Sequence, residues 1–190
     1  MKDLFDLGKL AIVLILGIFV LTGCGVSGDS KPAAVQTNDP ALNSSPAAAE
    51  RGTKIGQIAP DFELEKAGGG TISSKDLDGN PAVLVFWTAW CPVCKEEAPH
   101  INKLAAEFEE QGVRVVGINI GESDARIKEG IKEFGIKYPV AKDKDSSVAK
   151  NYKVIGTPTV VFLDKKGVVR YNGNELPKDY AEKLNSILGG

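Results

Sequence analysis

Apolar runs and helical periodicities alternate along this 190-residue chain from about residue 55 onward. Continuous or alternating apolar positions predict strands, in order 59–64, 71–73, 82–87, 113–120, 138–140, 159–163 and 168–171. Apolar positions that recur at steps of three and four predict helices at 91–110, 127–134, 146–152 and 180–188. This order predicts an α/β fold: a central mixed sheet flanked by helices, with an added N-terminal β-hairpin.

Residues 54–190 are predicted to form a single domain, because that length suffices for a core and contains no internal repeat. Pro99 falls inside the longest predicted helix, and its missing N–H predicts a kink there. The net charge is −2, and no basic patch interleaved with aromatic residues occurs. We therefore expect no nucleic-acid partner, and we expect the domain to be a monomer.

The N-terminus has the pattern of a bacterial export signal. Residues 10–21 form an apolar run that is shorter than the roughly 20 residues a spanning helix needs. The run ends in Leu21-Thr22-Gly23-Cys24, which resembles the lipoprotein signal that is cleaved before a cysteine that then receives lipid. We predict a signal peptide at 1–23 and a lipidated Cys24; the alternative is a chance cysteine beside a signal-anchor helix.

The segment between Cys24 and the domain has the composition of a linker. Residues 24–53 are rich in Ser, Pro, Ala and Asn and show no apolar periodicity, so they cannot bury enough apolar surface to order themselves. We predict a flexible tether with a typical reach of roughly 30 Å. The expected location is the cell membrane, where the lipid anchor holds the domain on the extracytoplasmic side.

Cys91 and Cys94 have the clearest chemistry in the chain. They open the predicted helix shortly after the apolar strand 82–87, so both sulfurs lie on one face of the first turn, close to disulfide geometry. Unpaired backbone N–H groups and the helix dipole favour a thiolate at Cys91, and the thiolate is the nucleophilic form. The arrangement predicts thiol–disulfide exchange; the alternative is an inert buried thiol pair.

Other uses of the Cys-X-X-Cys spacing need residues that this chain lacks. A structural zinc site and an iron–sulfur cluster each normally need four ligands, but the chain has three cysteines and one histidine, His100. A c-type haem attachment needs histidine directly after the second cysteine, where Lys95 stands. We therefore predict no metal and no organic cofactor.

Four segments together resemble the thioredoxin superfamily, and more closely the membrane-tethered TlpA/ResA-type thiol–disulfide oxidoreductases. The resemblance covers about residues 55–188 and implies a thioredoxin fold. The segments are Gly56 with Ala59-Pro60-Asp61-Phe62, Phe86-Trp87-Thr88-Ala89-Trp90-Cys91-Pro92-Val93-Cys94, Asn119-Ile120-Gly121-Glu122-Ser123 and Gly156-Thr157-Pro158-Thr159.

The resemblance implies a substrate groove beside Cys91. Pro158 is expected to be cis and to face the two cysteines. Thr157 is expected to offer its backbone to an extended substrate segment, as in strand addition. Trp90 and Pro92 are expected to line the same groove.

The resemblance also implies a proton acceptor on the helix. Thioredoxins proper carry a buried acid on the strand before the motif, where this chain has Val85. TlpA/ResA-type proteins place a glutamate three residues after the second cysteine, the position of Glu97. Glu97 is thus expected to handle the proton of the Cys94 thiol; the alternative is an exposed helix glutamate, as expected for Glu96. Six residues past Cys94, His100 is expected on the helix surface.

The predicted function is therefore an extracytoplasmic thiol–disulfide oxidoreductase in which Cys91 attacks a substrate disulfide and Cys94 resolves the intermediate. The resemblance implies reduction of protein disulfides, such as those of apocytochrome c in cytochrome c maturation, with electrons from an integral-membrane thiol donor. Two alternatives stay open: a disulfide oxidase or isomerase of the same fold, and a non-catalytic lipoprotein that uses the fold as a binding module.

Overall fold

A computed structural model describes residues 50–190, which fold into a mixed sheet with helices on both faces. The predicted signal peptide, Cys24 and tether residues 24–49 lie outside the described residues. The strands are β1 Glu63–Lys66, β2 Thr71–Ser73, β3 Ala82–Trp87, β4 Arg114–Ile120, β5 Val140–Asp143, β6 Thr159–Leu163 and β7 Val169–Gly173. The helices are α1 Pro92–Phe108, α2 Asp124–Phe134, α3 Ser147–Asn151 and α4 Tyr180–Gly189, with a 3₁₀ turn at Ser74–Leu77.

All seven strands belong to one sheet with the order β2-β1-β5-β4-β3-β6-β7. The strand that leads into the cysteine motif, β3, pairs in parallel with β4 and antiparallel with β6. The β1–β2 hairpin joins the sheet through an antiparallel pairing of β1 with β5. The predicted central mixed sheet with an N-terminal hairpin is confirmed.

Strand β3 is buried on both faces, which explains its unbroken apolar sequence. Because successive side chains on a strand point to opposite faces, Val83 and Val85 pack in the cluster that holds Leu104 of α1 and Leu184 of α4. On the other face, Phe86 packs against Tyr152 after α3, with ring centroids 5.1 Å apart. The cysteine motif therefore follows a rigid, central strand.

Several element boundaries differ from the prediction. The first strand, predicted at 59–64, lies at Glu63–Lys66. Ala59 and Phe62 are buried outside any strand, so their apolar spacing reflected burial and not strand pairing. Helix α1 starts one residue later and ends two residues earlier than predicted, and its assignment continues through Pro99.

Contacts with the domain begin before residue 54. The Gly52 N–H donates to the Ile58 carbonyl oxygen at 2.8 Å, and the Asn172 side-chain amide donates to the Thr53 carbonyl oxygen at 3.0 Å. Residues 50–53 thus pack on the folded unit. Within residues 50–190, no helix is both long enough and apolar enough to cross a membrane.

Candidate active site

Cys91 caps the N-terminus of α1. Its backbone is extended, with φ −86° and ψ 111°, and its Sγ accepts a hydrogen bond from the backbone N–H of Cys94 at 3.2 Å. Pro92 occupies the first turn, where a missing N–H leaves no helix bond unmade and the fixed φ suits the helix. The helix therefore directs an N–H group and its positive dipole end at the Cys91 sulfur, which favours negative charge there.

Cys94 lies one turn further along, and no disulfide joins the two cysteines in this structure. Their exposed fractions are 4% for Cys91 and 5% for Cys94, so burial does not distinguish the two residues. What separates them is the environment of the sulfur. Burial, followed by the hydrogen bond with Cys91, raises the pKa of Cys94 from an ordinary 9.0 to about 12. Near neutral pH Cys94 is a thiol, and it must lose a proton before it can attack.

The loop before β6 faces the motif. The Thr157–Pro158 peptide bond is cis, as the resemblance implies. The Cys91 thiol donates to the Thr157 carbonyl oxygen at 3.3 Å, and the hydroxyls of Thr88 and Thr157 are 3.4 Å apart. Thr157 therefore lies directly against the candidate nucleophile, where its backbone can also meet a substrate chain.

The surface around this contact is apolar and exposed. Trp90 and Pro92, the two predicted groove residues on either side of Cys91, are exposed, Trp90 by 68%. Val93 is 50% exposed, and Ile155, two residues before Thr157, is 95% exposed. Sequence analysis did not single out Val93 or Ile155, because nothing in an apolar residue's immediate neighbours shows that it faces solvent.

Glu97 projects inward from α1 and lines a small cavity that it shares with Cys94. The cavity measures about 10 Å³, close to the space that one water molecule needs. Val85, the position of the thioredoxin acid, lines the same cavity. The Glu97 carboxyl of α1 therefore lines a cavity to which β3 contributes an apolar residue, Val85. The cavity is lined by Val85, Trp87, Cys94, Glu97, Ala98, Ile101, Phe134, Ile136, Tyr138 and Pro158.

Two buried polar atoms of this cavity have no hydrogen-bond partner within the described residues: Oε2 of Glu97 and Nε1 of Trp87. Tyr138 adds a third polar group, and burial, followed by the nearby Cys94 and Glu97, raises the pKa of its phenol. Together, an acceptor, a donor and a water-sized space beneath Cys94 suit the transfer of one proton. Tyr138 was not predicted here, because its approach depends on the pairing of strands that are distant in sequence.

Comparison with known proteins places the chain in a family. The AhpC/TSA family model matches residues 55–172. The chain belongs to this family. It is 34% identical over 140 residues to the thiol-disulfide oxidoreductase ResA of Bacillus thuringiensis subsp. konkukian, a match that covers 73% of this chain and 81% of that protein. A ResA of Halalkalibacterium halodurans is 28% identical over 136 residues, covering 71% and 77%.

Solved structures agree with this family. A Chlorobium tepidum protein assigned as a thiol:disulfide interchange protein DsbE superposes with a TM-score of 0.66 at 26% identity, covering 72% of this chain and 99% of that chain. A secreted Mycobacterium tuberculosis disulfide oxidoreductase homologous to E. coli DsbE gives 0.56 at 27% identity, covering 67% and 94%. The protein is thus a thioredoxin-fold thiol–disulfide oxidoreductase of the ResA/DsbE type.

Three further observations concern the polar side chains around the cysteine motif. His100 is exposed on α1, as expected. Within residues 50–190, no three His, Cys, Asp or Glu side chains are grouped as metal ligands would be. Glu122, which belongs to one of the family-like segments, bonds the backbone of Ala89 in the loop that carries the motif. Sequence analysis had assigned Glu122 no role.

Proposed function

We propose that this oxidoreductase reduces disulfides of proteins outside the cytoplasm, with apocytochrome c as its substrate in cytochrome c maturation. The observation that carries the proposal is the Cys91–Cys94 pair at the start of α1, with Cys91 against Thr157 and Glu97 lining the cavity beneath Cys94. The similarity to proteins named thiol-disulfide oxidoreductase ResA supports thiol–disulfide exchange as the reaction.

The exchange takes place in two steps. The Cys91 thiolate attacks one sulfur of the substrate disulfide, forms a mixed disulfide and releases the other substrate sulfur as a thiolate. Glu97 then accepts the Cys94 proton, and the Cys94 thiolate attacks the Cys91 sulfur. The substrate leaves with two thiols, and the enzyme keeps a Cys91–Cys94 disulfide. Two electrons have passed to the substrate, and an integral-membrane dithiol donor reduces the enzyme again.

The exposed apolar surface supports a polypeptide substrate. Trp90, Val93 and Ile155 flank the contact between Cys91 and Thr157 and offer binding area to an extended segment. Trp90, Pro92, Thr157 and the cis Pro158 form the groove of this proposal.

We place the enzyme at the cell membrane, held on the extracytoplasmic side by lipid on Cys24, with residues 1–23 as the cleaved signal and 24–49 as the main part of the tether. Labelling cells with a radioactive fatty acid tests this. The parent protein is expected to take up label and to sediment with membranes. Cys24→Ser is expected to do neither, and a labelled Cys24→Ser protein would contradict the assignment.

The reduction potential tests the direction. A reductase of this type is expected at or below the range of glutaredoxins and thioredoxin, about −200 to −270 mV. Equilibration of the Cys91–Cys94 pair with glutathione or dithiothreitol buffers measures it. A value near −120 mV, typical of a strong oxidant such as DsbA, would replace reduction with oxidation.

Trapping tests the substrate. Cys94→Ser is expected to hold apocytochrome c as a mixed disulfide through Cys91, detectable by non-reducing electrophoresis and mass spectrometry. The matched control is the Cys91→Ser, Cys94→Ser double variant, which has no sulfur to form the bond. If Cys94→Ser traps no protein in cells that make cytochrome c, the chain acts as a binding module instead.

A further inference from the structure

The backbone of Ala89, two residues before Cys91, is held at both its N–H and its carbonyl by side chains from the β4–α2 region. Its N–H donates to Oε2 of Glu122 at 2.7 Å, and its carbonyl oxygen accepts a hydrogen bond from Nη2 of Arg126 at 3.3 Å. We propose that Glu122 and Arg126 are positioning residues that set the loop carrying Trp90 and Cys91 for attack. This inference rests on the proposed thiol–disulfide exchange.

Glu122 is itself held in place. Its Oε2 also accepts a hydrogen bond from the side-chain amide of Asn119 at 2.7 Å. Asn119 is fully buried at the end of β4, where it pairs with Trp87 of β3. The carboxylate therefore links the Ala89 backbone to the central strands, and two short charge-assisted bonds converge on one oxygen.

Helix α2 closes on the same loop without a gap. A Cβ on Gly130 of α2 would lie 2.6 Å from the Ala89 Cβ and 2.9 Å from Cζ3 of Trp87. The backbone of α2 thus packs directly on the loop, while Arg126 of the same helix binds its carbonyl. Polar and steric contacts from one helix therefore act on a single residue, Ala89.

The position of Ala89 determines where Cys91 lies. From Ala89 the chain runs through Trp90 to Cys91, whose sulfur must stay near Thr157, 3.3 Å away in this structure. Ala89 is 4% exposed, so its N–H depends on Glu122 as acceptor, and removing that acceptor costs the loop a largely buried hydrogen bond. A shift of about 1 Å at a reacting group can lower a rate by about 10².

The test uses the full chain with Cys94→Ser, and measures the rate at which Cys91 attacks a small synthetic aryl disulfide, such as dithiobis(nitrobenzoate). Glu122→Ala is expected to lower this rate at least tenfold. Glu122→Gln keeps an oxygen that can accept from Ala89 and Asn119, so it is expected to react within about threefold of the parent. The rate for Arg126→Ala is expected to lie between the rates for Glu122→Ala and Glu122→Gln. If Glu122→Ala does not fold, Arg126→Ala is used in its place.

Two controls separate positioning from general loss of structure. Glu129 pairs with Arg126 at the surface and does not touch the loop, so Glu129→Gln is expected to react at the parent rate. Leu184→Ala empties part of the core near α4 and is expected to lower the melting temperature but not the rate below it. The inference fails if Glu122→Ala and Arg126→Ala react at the parent rate, or if Glu122→Gln is as slow as Glu122→Ala. The reaction with a synthetic disulfide involves neither the proposed protein substrate nor the proposed direction of electron flow. Its outcome is therefore independent of the substrate-trapping experiment and of the measured reduction potential.

Discussion

Removing the Glu97 carboxyl is expected to slow the second step of exchange and to leave the first one intact. In Glu97→Gln the side chain keeps its size but cannot accept a proton at neutral pH. Cys91 attacks first and does not need Glu97, because its sulfur lies at the helix N-terminus with a bond from the Cys94 N–H. Cys94 attacks second, and its proton must leave a buried site.

The size of the effect follows from the pKa of Cys94. With a pKa of about 12, only about 10⁻⁵ of Cys94 is thiolate at pH 7. Burial is the main cause of this shift, and it persists while Cys91 is bound to substrate. A positioned base is worth about 10²–10⁴ in rate, so Glu97→Gln is expected to resolve the mixed disulfide about 10²–10⁴ times more slowly. Because the thiolate fraction grows tenfold per pH unit below the pKa, the variant's rate should climb steeply from pH 7 towards 12.

Rapid-mixing kinetics with a peptide disulfide separates attack by Cys91 from resolution by Cys94. Samples are quenched with acid at successive times, and the amount of mixed disulfide is measured after the species are separated. Glu97→Gln is expected to accumulate the mixed disulfide, whereas the parent does not. Glu96→Gln is the matched control, because Glu96 is the exposed neighbour on the same turn and should behave as the parent. If Glu97→Gln resolves at the parent rate at pH 7, or if its rate does not depend on pH, the assignment of Glu97 as the proton acceptor is refuted.

Three stability predictions follow from packing and buried hydrogen bonds. Leu184→Ala is expected to lower the free energy of unfolding by about 2–5 kcal/mol, since Leu184 is fully buried; a loss below 1 kcal/mol in urea titration would contradict this. Gly130→Ala is expected to cost about 1–3 kcal/mol, because its new Cβ would meet the Ala89 Cβ at 2.6 Å, and Gly189→Ala, where nothing lies within 4 Å, should be nearly neutral. Asp143→Ala is expected to melt α3 first, seen as faster amide exchange there, because the buried carboxylate accepts bonds from the N–H groups of Val148 and Ala149; unchanged exchange would exclude this role.

Much of the fold could be predicted because the central strand carries an unambiguous signal. The bounds of β3 match the apolar run 82–87, since a strand buried on both faces has no polar positions to blur it. The last strand and helix were also placed within about two residues. The β1 strand was misplaced because Ala59 is buried by its surroundings while its N–H bonds the Gly167 carbonyl. Apolar spacing reports burial, and burial does not require a strand partner.

Strand β5 was predicted at 138–140 but runs from Val140 to Asp143. Its second half carries Lys142 and Asp143, whose charges are untypical of a buried strand. Both are accommodated by contacts that are remote in sequence. Lys142 forms ion pairs with Glu65 and Asp124, at 2.9 and 3.3 Å, and Asp143 caps the start of α3. No local sequence pattern indicates these partners of Lys142 and Asp143, so a sequence-based prediction ends β5 too early.

The candidate site shows the same division between local and distant information. The roles of Cys91 and Cys94 could be predicted from their spacing alone, and that of Glu97 from the resemblance. All three residues lie on one helix, so their proximity is local in sequence. The contact with Thr157 was expected only because the family implies it. Tyr138 has no local signal, because it meets Trp87 only across Gly117 of β4: a Cβ there would lie 3.0 Å from the Tyr138 ring and 3.2 Å from Nε1 of Trp87. Such a cavity exists only once the sheet has formed.

The spacing of Cys91, Cys94 and Glu97 along α1 supports the proposal that the Glu97 carboxyl serves Cys94 and not Cys91. Each step of three residues advances about 4.5 Å along a helix and turns back by about 60° around it. Cys91, Cys94 and Glu97 therefore form a short spiral that leads from the surface contact with Thr157 to the cavity beneath the motif. In the proposed mechanism the nucleophile meets substrate at one end, and Glu97, the proposed base, lies at the other, separated from substrate by the resolving thiol. Because the base is carried by the same helix as Cys94, any tilt of α1 moves both together, a coupling that an acid on β3, at the position of Val85, could not provide.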